Sequence, residues 1–111
     1  MHILFRTKKL ARVFNSEKLL LRDYGQENGR LIMRRMSVLM SVPTLGDVPS
    51  TRPERRHELT GNMAGRFAID VKHPYRIIIA PVGNPVPRLS DCGYDLTRIT
   101  AIEILGVEDY H

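Results

Sequence analysis

A chain of 111 residues with 42% hydrophobic and 26% charged side chains can bury one modest core without disulfides or metal, which excludes a disordered polypeptide and predicts a single domain over residues 1–111. The lone Cys92 cannot pair within the chain, and it keeps no metal-ligand spacing with the histidines at 2, 57, 73 and 111, so neither a disulfide scaffold, a metal site nor a cofactor is expected. Seventeen Lys and Arg against twelve Asp and Glu, a net charge of +5, favour an anionic partner, while no run is apolar enough for a membrane span or signal peptide, so a cytoplasmic protein is expected.

The first half reads as helical. A short apolar strand at residues 2–6 is expected to join a sheet at its edge. Residues 8–14 carry Leu10 and Phe14 four apart, with Thr7 placed to cap the start. A second helical stretch at 17–23 holds Leu19, Leu20 and Leu21 and is broken by Gly25. From about 26 to 41, Ile32, Met36, Leu39 and Met40 form an apolar stripe suited to packing on a sheet, with Arg30, Arg34 and Arg35 off it. Pro43 ends that helix and opens a connector rich in Pro, Gly and Ser that reaches Pro53.

The second half reads as strands. Residues 57–60 form a short one ending at Gly61. Phe67, Ile69 and Val71 then alternate with Arg66, Ala68, Asp70 and Lys72, the clearest period-two pattern in the chain. His73-Pro74 makes a tight connection, in which His73 is read as structural, to a more buried strand at 75–80 with Ile77, Ile78 and Ile79 in succession. Residues 81–98 hold too many breakers for a regular element, and a last strand runs from about 99 to 107. The pattern predicts an α+β fold: two to three helices over 7–42 and a mainly antiparallel sheet from about 57 to 107.

Chemistry gathers in two places. Basic residues cluster as Lys8, Lys9, Arg12; as Arg30, Arg34, Arg35; and as Arg52, Arg55, Arg56 leading into His57. The last strand delivers Glu108, Asp109, Tyr110 and His111 at the chain's end, a carboxylate, a phenol and an imidazole where a substrate can meet them. If the strand continues regularly, Asp109 and His111 share one face and Tyr110 lies on the other.

Four segments in order, Arg56-His57-Glu58-Leu59-Thr60-Gly61, Gly65-Arg66-Phe67-Ala68-Ile69, Tyr75-Arg76-Ile77 and Glu108-Asp109-Tyr110-His111, resemble the C-terminal half of HigB-type toxins of the RelE/ParE superfamily of bacterial toxin–antitoxin systems. The resemblance covers residues 55–111 and implies a RelE-like fold: a small, mainly antiparallel, curved sheet with N-terminal helices packed on one face. It implies a ribosome-dependent endoribonuclease that cuts messenger RNA by attack of a 2′-hydroxyl on the adjacent phosphate. It also implies a cognate antitoxin, a helix-turn-helix protein that forms a hetero-oligomer with the toxin. The family's matching residues fall on His57, Arg76, Asp109, Tyr110 and His111, with Lys72 where a basic strand residue is expected. Thr60 departs from the pattern, which often has Lys before the glycine; Arg56 or Arg66 would then supply the charge. The long 81–98 loop departs from the compact members as well.

The residue types suit that chemistry. Self-cleavage of RNA at its 2′-oxygen needs a base, an acid and a cation at the phosphate. Histidine titrates near pH ~6.5 and can serve in either proton role, which nominates His57 and His111. Arg76 can grip two phosphate oxygens with its planar fork, Asp109 can orient an imidazole, and Tyr110 can bond phosphate or stack on a base. Arg55, Arg56, Arg66 and Lys72 are the RNA-binding candidates. These residues can converge if the strands bearing His57, Arg76 and the terminal motif neighbour one another. Two other functions stay open: the resemblance also allows a non-nuclease superfamily member that inhibits a protein target such as gyrase, and the basic composition allows a plain interaction module.

Overall fold

A computed structural model describes residues 1–109. Two hydroxyls start the helices: the Leu10 N–H donates to Thr7 Oγ1 at 3.0 Å at the head of α1 (Lys8–Phe14), and the Leu19 N–H donates to Ser16 Oγ at 3.2 Å at the head of α2 (Glu17–Ser41). Each satisfies a donor that the first helical turn leaves without a partner. The two stretches expected at 17–23 and 26–41 join into α2, kinked at Gly25, whose φ of 85° and ψ of 171° lie outside the helical region. Glycine adopts that conformation without a Cβ clash, so the helix bends and resumes.

Five strands follow the order β1-β5-β4-β3-β2, with β1 at His2–Phe5, β2 at His57–Glu58, β3 at Phe67–Asp70, β4 at Tyr75–Pro81 and β5 at Ala101–Asp109. β1 lies at the edge, as expected, and pairs parallel to β5; the other pairings are antiparallel. The last strand extends two residues past its expected end, because Glu108 and Asp109 still pair with Arg76 and Tyr75 of β4.

The run of three isoleucines is explained by burial on both faces of the sheet. Ile77 and Ile79 join Phe67, Ile69, Ile102 and Ile104 against Val13, Phe14, Leu20, Ile32 and Leu39 of the helices. Ile78 points the other way, into a smaller cluster with Leu59 and Ala68. Each fully buried aliphatic of this kind contributes about 1.5–3 kcal/mol. The helices therefore cover one face, and the second face stays open apart from that small cluster.

Two positions on α2 differ from the sequence expectation. Met40, placed in the apolar stripe, is 62% exposed, whereas Arg35, placed off it, is 6% exposed. The stem of Arg35 runs beneath the end of β3 and its Nε donates to the Asp70 carbonyl at 2.7 Å, a partner that helical periodicity cannot reveal. The 81–98 segment is irregular but stapled. Tyr94 donates its hydroxyl to the Gly65 carbonyl at 2.9 Å, packs on Phe67 at 5.8 Å between centroids, and lies under the Arg88 guanidinium at 4.5 Å.

Candidate functional site

In antiparallel pairing, directly opposed side chains share a face. His57, Ala68 and Ile78 are opposed in turn across β2, β3 and β4, and Asp70, Arg76 and Glu108 form a second row across β3, β4 and β5. Ile77 and Ile79 face the helices, so both rows lie on the open face. His57 and Arg76 therefore share a surface, but β3 stands between their strands. Two strand spacings and two residues of rise put their Cα positions about 12 Å apart on an ideal sheet. The strand neighbours hoped for from the sequence are met by β4 and β5, and not by β2 and β4.

The end of β5 has a specific register. Asp109 opposes Tyr75, which places it on the helix side, while Glu108 opposes Arg76. Glu108 is thus the carboxylate in the row of Arg76. Tyr110 and His111, the rest of the terminal motif, lie outside the described residues.

Local geometry fixes the proton on His57. Its Nδ1 donates to the Arg55 carbonyl at 2.7 Å, and because a carbonyl can only accept, the basic nitrogen of the neutral ring is Nε2. Arg55 makes this possible from a left-handed backbone, φ 46°, which is uncommon outside glycine.

At the end of the β3–β4 hairpin, a cleft of about 590 Å³ is lined by Arg35, Arg52, Arg55, Arg76, His73 and Tyr75 around Asp70. Arg55 grips the Asp70 carboxylate through Nε at 2.6 Å and Nη2 at 3.3 Å, and Arg76 Nε lies 3.4 Å from its Oδ1. The hydrogen bond to Asp70 holds the Arg55 guanidinium above its ordinary value. Four guanidiniums against one carboxylate leave the lining strongly positive, suited to an anion with several oxygens.

The other RNA-binding candidates are placed differently. Arg56 Nε donates to the Val48 carbonyl at 3.0 Å, and burial pushes its guanidinium down from the usual value. Arg66 precedes β3, at the far end of that strand from Asp70, and its Nη1 contacts Met63 Sδ at 3.3 Å. Lys72 follows β3 in the turn and points back to α2, with Nζ 3.2 Å from the Glu27 carboxylate. Thr60 is exposed and opens the short turn at Gly61–Met63.

Sequence reasoning missed Asp70, gave Arg35 and Arg52 no role beyond their clusters, and read His73 as structural, although it lines the cleft. A signal for Asp70 existed. A tight His73-Pro74 connection between two strands sets Asp70 directly across from Arg76, an opposite-charge pair on the polar side of the alternation.

No protein-family model matches the chain, and no curated protein matches it. A solved structure does: the YoeB/ParE toxin from Agrobacterium tumefaciens aligns with a TM-score of 0.55 over 100% of both chains, at 12% sequence identity. At that identity the likeness is one of fold. Over the described residues the chain has an α+β architecture like that of the toxin, two helices packed on a mixed, mostly antiparallel, unclosed sheet of five strands. No helix among the described residues is long and apolar enough to cross a membrane.

Proposed function

We propose that the chain is a HigB-type toxin of a toxin–antitoxin pair and acts as a single domain in the cytoplasm, cutting messenger RNA on translating ribosomes. The observation that carries this reading is a tautomer-fixed histidine whose hydrogen-bond partner, Arg55, also lines an arginine-rich cleft at the end of the β3–β4 hairpin. His57 Nε2 takes the proton of a 2′-hydroxyl as that oxygen attacks the adjacent phosphorus. Arg76 and Arg55 stabilise the charge that builds on the phosphoryl oxygens, a contribution of about 10²-fold or more for one well-placed donor. The departing 5′-oxygen takes a proton from the terminal motif, for which the resemblance offers His111 with Tyr110 in support, while Glu108 is the carboxylate of that motif in the row of Arg76. The products are a cyclic phosphate and a free 5′-hydroxyl. A cognate antitoxin covers the basic surface with acidic or apolar segments.

Primer extension on messenger RNA after brief expression tests this. Discrete cuts that disappear when translation is blocked, together with growth rescue by the co-expressed antitoxin, are the expected result. DNA damage without RNA cuts would assign the fold to inhibition of a protein target such as gyrase. Normal growth at high expression would leave only a basic interaction module.

A further inference from the structure

Four elements of the fold meet at Asp70. Its carbonyl accepts from Arg35 Nε at 2.7 Å, and its N–H donates to the Glu54 carbonyl at 2.9 Å. Its carboxylate accepts from Arg55 at 2.6 Å and lies 3.4 Å from Arg76 Nε. The Asp70 side chain is 24% exposed and that of Arg76 19%, so this contact is screened less than a surface ion pair. Two guanidiniums drawn onto one carboxylate would otherwise repel each other, and Arg35 and Arg52 in the same cleft add to that repulsion. Arg55 also has a second task. The residue that holds Asp70 with its side chain holds the His57 imidazole with its carbonyl. A continuous path, Arg76–Asp70–Arg55–His57, therefore bridges β4 and β2 across the intervening strand.

We infer that Asp70 is a positioning residue: its carboxylate sets Arg55 and Arg76 for one RNA phosphodiester and, through Arg55, orients the His57 imidazole. This rests on the RNA-cleaving reading of the same site. The competing role, simple charge balance, predicts the opposite sign. Removing a negative charge from the neighbourhood of a phosphate tightens RNA binding on the order of twofold by Coulomb attraction alone. Loss of preorganised guanidiniums weakens it by about tenfold.

The test uses the purified full chain, a labelled oligouridine decamer at fixed salt, and the nitrogen-15 shifts of the His57 ring. Asp70→Asn keeps the size of the side chain and both backbone bonds. The expected result is binding weakened by about tenfold, a cooperative melt showing that the variant folds, and loss of the single Nδ1–H tautomer at His57. Asp70→Glu should restore part of both signals. Unchanged or tighter binding in a folded Asp70→Asn variant overturns the inference, as does an unmoved His57 tautomer. If Asp70→Asn does not fold, Arg55→Lys retains the charge and the carbonyl but cannot present the Nε/Nη2 fork. It should reproduce both losses, and wild-type behaviour in that variant would equally overturn the proposal. Failure of the wild-type chain to bind the free decamer counts against a phosphodiester site on the isolated chain, the ribosome-dependent reading being decided by primer extension, and the tautomer measurement still decides the role of Asp70.

Discussion

Arg35→Met separates a cation that holds the fold from a cation kept for a ligand. Arg35 is 6% exposed, and its Nε donates to the Asp70 carbonyl at 2.7 Å, linking α2 to the end of β3. Methionine preserves most of the apolar stem and deletes the guanidinium. The Asp70 carbonyl then loses a hydrogen bond to a charged group, a loss of about 1.5–3 kcal/mol. Part of that is regained because a cation no longer has to be kept from water. The net expectation is about 1–2 kcal/mol of destabilisation, the remainder after that partial offset. For a domain of this length each kcal/mol lowers Tm by about 4 °C, so the melt should fall by about 4–8 °C. Arg35→Ala also removes the stem and should cost more, since the space it leaves is only partly refilled. Thermal melts followed by circular dichroism, with a urea titration to verify an unchanged slope, measure the difference. An Arg35→Met protein as stable as wild type, or more stable, would refute the reasoning and mark Arg35 as a cation maintained at the expense of stability to serve the cleft.

Three further outcomes are expected. His57→Ala should lower messenger RNA cleavage by about 10²–10⁴-fold through loss of the proton acceptor, with a melt within a degree or two of wild type, because His57 is only half-buried on a two-residue edge strand; cleavage within threefold of wild type would remove His57 from the chemistry. Lys72→Ala should change RNA binding by less than about twofold, since its ammonium pairs with Glu27 at 3.2 Å while more than half exposed, an arrangement of small energetic weight; a tenfold loss would show that Lys72 leaves Glu27 for RNA. Gly25→Ala should destabilise by about 1–3 kcal/mol from backbone strain alone, because φ is 85° there and nothing lies within 4 Å of the added Cβ; urea unfolding with an unmoved midpoint would contradict this.

The features legible in the sequence are those whose causes are local. The Thr7 cap, the break at Gly25, and the alternation of Phe67, Ile69 and Val71 each depend on neighbours a few positions away, and the structure shows the cap, the kink and the buried face where they were expected. What escaped depends on distant partners. Arg35 is buried because of a carbonyl 35 residues away, and Asp70 gains its place from Arg55 and Arg76 on the strands or turns to either side.

The register of β5 shows most sharply why the site could be read only in part. Ile102 and Ile104 face the helices, and uninterrupted alternation would carry Asp109 onto the open face with Arg76. The ladder instead steps from Ile79↔Ile104 to Ile78↔Gly106, so Leu105 and Gly106 together oppose one residue of β4. One extra residue exchanges the faces of everything that follows. Val107 then packs on the helix side, Glu108 falls opposite Arg76, and Asp109 falls opposite Tyr75. Gly106 permits the step, since φ there is 150°, a conformation that side-chain-bearing residues rarely adopt. A glycine inside an otherwise apolar strand is itself a bulge signal. Its presence two residues before Glu108 means that assigning faces to the terminal motif requires deciding first whether the strand slips, and that decision is made by the pairing with β4 and not by the motif.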